Sequence, residues 1–188
     1  MTENPAVVLD ACVLIPMPLA DTLLRLAAVP NLYRARWSDR IMKEVSRNLQ
    51  QGFGLSPQKA NHREMEIQRH FPEAWVDGFD DLIPTMTNHA KDRHVLAAAV
   101  KAGAESIITY NSKDFPASSL SPYGIAVIGP SQFLKTLHDR APSAVLETLE
   151  SQASAIGQTR EYLFSRLKVN APGFIAHIEK AIQLPAQH

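Results

Sequence analysis

The chain has 188 residues, 45% hydrophobic and 20% charged, which suffices for one ordinary soluble domain with a core plus a modest appendage. Lysine plus arginine number 19 and aspartate plus glutamate 19, so bulk basicity is excluded as a route to nucleic acid, and any such contact must come from a local patch. The lone Cys12 excludes an intrachain disulfide framework and a cysteine zinc site; residues 1–5 carry no basic segment and no long apolar run follows, so neither a signal peptide nor a membrane span is expected. A cytoplasmic protein follows from these expectations.

Residues 6–9, Ala-Val-Val-Leu, are an apolar, β-branched-rich run ending in Asp10. They predict a buried parallel strand whose carboxyl end presents an acid, at the edge where open α/β sheets bind ligands. Pro16 and Pro18 interrupt the chain, and residues 19–29 predict a helix with Leu23, Leu26 and Ala27 on one face. A second strand is expected over residues 32–37. Ser38 then reads as the N-cap of a helix with an apolar stripe through Ile41, Met42, Val45 and Leu49, and Glu44 borders that stripe.

Residues 51–54, Gln-Gly-Phe-Gly, read as a turn, and Ser56-Pro57 as the cap and first position of a helix reaching about Phe71. That helix carries Lys59, His62, Arg63, Arg69 and His70. Mixed charges of this kind usually form a solvated face; the functional alternative is a clamp for a phosphate backbone made by Lys59, Arg63 and Arg69. Asp77, Asp80 and Asp81 lack the ligand spacing of a calcium loop and read as solvated turn residues.

Residues 91–100 predict a helix in which Val95, Leu96, Ala99 and Val100 follow Asp92 at helical spacing, placing this acid on the stripe that should face the core. A carboxylate there needs compensation, by the helix dipole or by a cation. Residues 106–109 predict another buried strand, with Asn111 and Asp114 in the loop just past its carboxyl end, and residues 125–128 a last one. Pro130-Ser131 opens a helix with Phe133, Leu134 and Leu137. This alternation argues for a parallel sheet covered on both faces. After residue 141 the pattern is helical only, with helices expected over 143–155, 159–168 and 172–182. One α/β domain over residues 1–141 and a helical extension over 142–188, serving as a cap or oligomer contact, are the expected organisation.

Four carboxylates thus occupy comparable settings: Asp10, Glu44, Asp92 and Asp114, separated by 34, 48 and 22 residues, so that only the fold could unite them. Acids converging at one end of a sheet, without cysteine ligands or an HExxH helix, suggest a hard cation, Mg2+ or Mn2+, and phosphodiester hydrolysis. Asp10-Ala11-Cys12 lacks the second aspartate of an aspartyl phosphatase, and no glycine-rich phosphate loop is present. His89 and His94 match no zinc pattern and read as surface or packing residues, and Cys12 as a buried, inert thiol.

The segments around Asp10, Trp37 to Glu44, Lys91 to Ala99, and Ile108 to Phe115 resemble, in order, the successive motifs of PIN-domain ribonucleases. The likeness is greatest to the branch of VapC-like toxins of VapBC-type toxin–antitoxin systems, and it covers about the first three-quarters of the chain. It implies a Rossmann-like three-layer α/β/α sandwich with a central parallel sheet. It also implies Mg2+- or Mn2+-dependent endonucleolytic RNA cleavage by the acids at Asp10, Glu44, Asp92 and Asp114. Asp10 and Asp92 would be the principal metal ligands, with Asp114 and Glu44 completing the site or orienting water, and Thr109 and Asn111 lining the pocket. RNA, a cognate antitoxin and a second copy of the chain are the implied partners. One departure stands out: many PIN enzymes carry an acid two residues after the threonine, where Asn111 stands here. A catalytically weak or inactive PIN-like module that binds RNA or protein is therefore the second reading.

Overall fold

The run after Pro5 forms β1 (Ala6–Leu9), and every residue in it is buried. The computed structural model describes residues 4–183; residues 1–3, part of the segment in which no signal peptide is expected, lie outside them. β1 is flanked by β2 (Arg34–Arg36) and β3 (Ser106–Ile108), and β4 (Ala126–Ile128) follows, giving one parallel sheet in the order β2-β1-β3-β4. Val7 is in register with both Ala35 and Ser106, and Ile107 with Val127. Because β1 and β3 expose no side chain on either face, helices must cover both. The PIN-like α/β sandwich with a helical C-terminal region is the observed fold.

The helices are α1 (Ala11–Leu14), α2 (Leu19–Ala28), α3 (Asp39–Phe53), α4 (Pro57–His70), α5 (Arg93–Lys101), α6 (Ala117–Leu120), α7 (Pro130–Arg140), α8 (Pro142–Ala155), α9 (Arg160–Asn170) and α10 (Pro172–Gln183). Ser38 and Ser56 cap α3 and α4 through their hydroxyls, as expected. The turn expected over residues 51–54 is not there. Instead α3 runs through Gly52 and stops at Gly54, which adopts φ 65°, the left-handed conformation suited to glycine. A solvent-exposed glycine in the last turn costs only about 1 kcal/mol, too little to end a helix whose apolar stripe is buried. The short helix α1 was not anticipated; Asp10 nucleates it as N-cap.

The topology explains how distant acids meet. The connection from β1 leads to one neighbour, β2, and the return crosses to the other, β3, so the strand order reverses between β1 and β3. A crevice opens at the carboxyl ends of strands at such a reversal, and Asp10 and Thr109 stand there.

The C-terminal helices are rooted in the rest of the protein. α8 packs on α2 and α7, and α10 on α7 and α9. Val145, Leu149, Leu163, Phe174, Ile175 and Ile178 belong to the same buried cluster as the strands. Gln152 accepts a hydrogen bond from Thr22 Oγ1 at 2.7 Å and donates one to the Pro18 carbonyl at 3.1 Å, satisfying a buried polar side chain across the α2–α8 contact. Among the described residues no helix is long and apolar enough to cross a membrane.

If this shared core makes folding cooperative, truncating α8 destabilises the sheet as well. Leu149 is fully buried, so Leu149→Ala should cost about 2–5 kcal/mol. Urea unfolding followed through Trp37 and Trp75, which lie outside the extension, should shift as one transition. An unchanged tryptophan transition would show that α8 unfolds independently.

Candidate active site

Asp10 leaves β1 in extended conformation and caps α1, so its backbone geometry aims the carboxylate across the end of the sheet. Oδ1 accepts the Ala11 N–H at 2.7 Å; Oδ2 accepts the Thr109 hydroxyl at 2.7 Å and lies 3.3 Å from the Cys12 thiol. Thr109 Oγ1 in turn accepts the Asn111 N–H at 2.9 Å. One hydroxyl therefore couples the tips of β1 and β3 and fixes the orientation of Asp10, which is 4% exposed. Between Thr109 and Asn111, Tyr110 donates its hydroxyl to the Asn170 carbonyl at 2.7 Å, tying this loop to the end of α9. The Cys12 thiol is pushed up to about 12 by burial and then by the charge of Asp10, which is opposite to what a nucleophilic thiolate needs.

Asp92 ends a 3-10 turn (Ala90–Asp92) and occupies the cap position of α5, yet its side chain caps no N–H. Its pKa is raised from 3.8 to about 6, by burial first, then by the charges of Asp10, Asp114 and Glu44, against a small opposing effect of His89. The acids separated in sequence thus act on one another. His89 donates its backbone N–H to the Asp114 carbonyl at 3.0 Å, docking the two loops. As a result, ligand-capable atoms of His89, Asp92 and Asp114 all lie within 4.8 Å of one another. His89 Nδ1 is 3.9 Å from Asp92 Oδ2. Among the described residues, Asp10, Glu44 and Asp114 join no ion pair.

An open groove of about 720 Å³ passes over this cluster, lined by Glu44, Asp92, Asn111 and Asp114 and by Arg40, Lys43, Arg47 and Lys91. Arg40 is held by Asp80 at 2.6 Å, which gives one acid of the expected solvated loop a surface partner. Arg47 and Lys91 make no ion pair among the described residues.

Of the sequence-identified residues, Glu44, Asp92, Asn111 and Asp114 line the groove, while buried Asp10, held by Thr109, is near enough for its charge to act on Asp92. Lys59, Arg63 and Arg69 do not line the groove. Arg63 Nη2 instead donates to the Leu14 carbonyl at 2.6 Å, with Ile15 beside it, so its guanidinium satisfies the end of α1. Arg69 pairs with Glu66 at 3.0 Å, and Lys59 is exposed on α4. Within the clamp expected on α4, Arg63 also serves as a strut between helices. The groove cations were missed although Arg40 and Arg47 stand four residues before and three after Glu44 on α3, a signal that counting outward from Glu44 would have found. His89 had no such signal, because only loop docking brings it to the acids.

The profile described as PIN domain matches residues 6–113, more than half of the chain, and the chain belongs to the PIN domain family. The match takes in Asp10, Glu44 and Asp92 and ends one residue before Asp114. The chain is also 49% identical over 76 residues to a protein of Mycobacterium tuberculosis (strain ATCC 25618 / H37Rv) named "Putative ribonuclease VapC50". That segment is 39% of this chain and 45% of the relative, so it spans less than half of the relative's length. No solved structure matches.

The raised pKa of Asp92 makes a signed expectation. Folded Asp92 holds its proton up to about 6 while the ordinary value is 3.8, so this group's contribution to stability is greatest at low pH and is withdrawn as pH rises through that window. In EDTA, Asp92→Asn should melt above wild type, by a margin that grows from about pH 4 to about pH 6 and then stays constant. Thermal melts at pH 4.5 and 7.5 check this; an equal margin at both would contradict the raised pKa that burial and the neighbouring acids give Asp92.

Proposed function

We propose that this chain is a divalent-metal-dependent endoribonuclease that hydrolyses RNA phosphodiester bonds. In this reading it is the toxin of a type II toxin–antitoxin pair, acts in the cytoplasm and is neutralised by a cognate antitoxin protein. The observation that carries the reading is that Asp10, Glu44 and Asp114 all act by their charge on Asp92, without ion-pair partners among the described residues apart from His89, with Glu44, Asp92 and Asp114 lining a groove edged by Arg47 and Lys91. The donor set is oxygen-rich and lacks a cysteine ligand, which suits Mg2+ or Mn2+. The mutual repulsion at Asp92 is what a cation would relieve.

Asp10, Asp92 and Asp114 would hold the ion, which when bound supplies counter-charge to the phosphoryl group under attack and lowers the pKa of water. Asp10 contributes an oxygen whose direction is preset by Ala11 and Thr109. Glu44, half-buried on α3 and lining the groove, is available to orient the attacking water and accept its proton. Arg47 and Lys91 would hold flanking phosphates of the RNA, and the Asn111 carboxamide offers a neutral donor beside them. Asn111 also favours the second reading, a catalytically weak RNA- or protein-binding module: no heat on Mn2+ titration while RNA binding persists would select it. For the toxin role, expression alone should slow growth and co-expression of the neighbouring gene's product should restore it; a neighbour that neither binds nor neutralises the protein would remove that part.

With purified protein, RNA and Mn2+, Asp10→Asn and Asp92→Asn should each lower cleavage at least about a hundredfold. Thr109→Val, which removes the hydrogen bond that aims Asp10, should cost about 10–100-fold in metal affinity or activity. Undiminished cleavage in both aspartate variants would overturn the enzymatic reading. Arg47→Ala and Lys91→Ala should weaken RNA binding across sequences and each reduce the salt slope of log affinity by about 1. Lys59→Ala should leave that slope unchanged, and the reverse pattern would restore the clamp on α4.

A further inference from the structure

Apart from the acid cluster, a second group of ligand-capable side chains sits where α10 packs on α7. His138 and Asp139 belong to the last turn of α7 and His177 to the middle of α10. One ligand-capable atom from each lies within 4.8 Å of the others. Two details set the group apart from an ordinary ion pair. His138 is 5% exposed, and its Nδ1 is buried with no hydrogen-bond partner among the described residues. His177 Nε2 lies 2.8 Å from Asp139 Oδ1, but without the alignment of a hydrogen bond.

The imidazoles stand perpendicular, with ring centroids 5.1 Å apart. If His177 and Asp139 simply formed a salt bridge with His138 stacked at the edge, the buried nitrogen of His138 would stay unsatisfied, a costly arrangement for a polar atom. An ion held by all three side chains removes that cost where Nδ1 is the ligand atom of His138. We propose that His138, Asp139 and His177 form a binding site for a borderline transition-metal ion of the Zn2+ class, which staples α10 to α7.

The donor chemistry selects the ion. Two imidazoles and one carboxylate suit Zn2+ or Co2+ rather than Mg2+, so this site and the acid cluster have different preferences. Four-coordinate zinc with bonds of about 2.0–2.2 Å places its donors roughly 3.3–3.6 Å apart, within reach of small rotations of these side chains. The Asp139 side chain is 63% exposed and that of His177 31%, leaving the solvent side open to a water as fourth ligand. The site closes the contact between the last helix and α7, and it does not depend on the nuclease reading.

Co2+ is the direct probe, because tetrahedral Co2+ has intense visible bands that hexacoordinate Co2+ on carboxylates lacks. The untagged full-length protein should develop these bands on Co2+ titration and lose them on addition of about one equivalent of Zn2+. His177→Ala and Asp139→Asn should each weaken Co2+ binding at least tenfold. Asp139→Asn changes an exposed side chain, and circular dichroism would establish that it folds. The double variant Asp10→Asn/Asp92→Asn should keep the bands. Absence of tetrahedral bands in the wild type overturns the proposal, as does unchanged affinity in both His177→Ala and Asp139→Asn, or loss of the bands in the double variant.

Discussion

Like charge held close together at the tips of β1 and β3 is the constraint around which this protein is arranged. Asp10 is buried and still well supported, since each of its oxygens accepts a strong hydrogen bond from backbone or hydroxyl. Asp92 has no such support. It stands at a helix start without capping it, with only a half-exposed histidine at 3.9 Å to offset three other carboxylates. A local arrangement of this kind persists only where the surrounding packing imposes it, and such exceptions to good folding chemistry collect at functional sites.

The imposition comes from the sheet. Fully buried β1 and β3 fix the positions of Asp10 and Thr109, α5 packs on both strands and carries Asp92, and the His89–Asp114 backbone contact closes the remaining side. Glu44 arrives on α3, whose capped start and buried stripe set its angle. The C-terminal helices add to this frame. They share the core with the strands, and through Tyr110 and Asn170 they reach the loop that carries Asn111. Catalytic parts on rigid elements, with neighbours that lock their rotamers, are what a pre-organised site requires.

Much of this was legible in the residues. The short apolar runs with immediate polar successors gave the strands and the acids at their ends, and Asp92 was conspicuous because its spacing put it on an apolar stripe. Serine before proline or aspartate marked two helix starts correctly. The failures have physical reasons. Gly52 was read as a break because glycine is a poor helix former, but tertiary burial of Ile41, Met42, Val45 and Leu49 outweighs that weak preference. The bonds of Arg63 to the carbonyls of Leu14 and Ile15 were not legible, because composition cannot show that those groups lie within its reach. His89 and the His138–His177 pair depend on contacts between elements far apart in sequence, which no local period encodes. The family resemblance and the PIN domain match agree on the fold.

The central claim is that one divalent ion is shared by acids from β1, α5 and the loop after β3. Paramagnetic relaxation by Mn2+ in an NMR spectrum of the assigned protein reads this directly, because it reports distance to the ion at each backbone amide. Substoichiometric Mn2+ should broaden Ala11, Asp92, Arg93 and Asn111 first, with the amides of α8 and α9 little affected. Broadening centred elsewhere, with those four amides untouched, would contradict it.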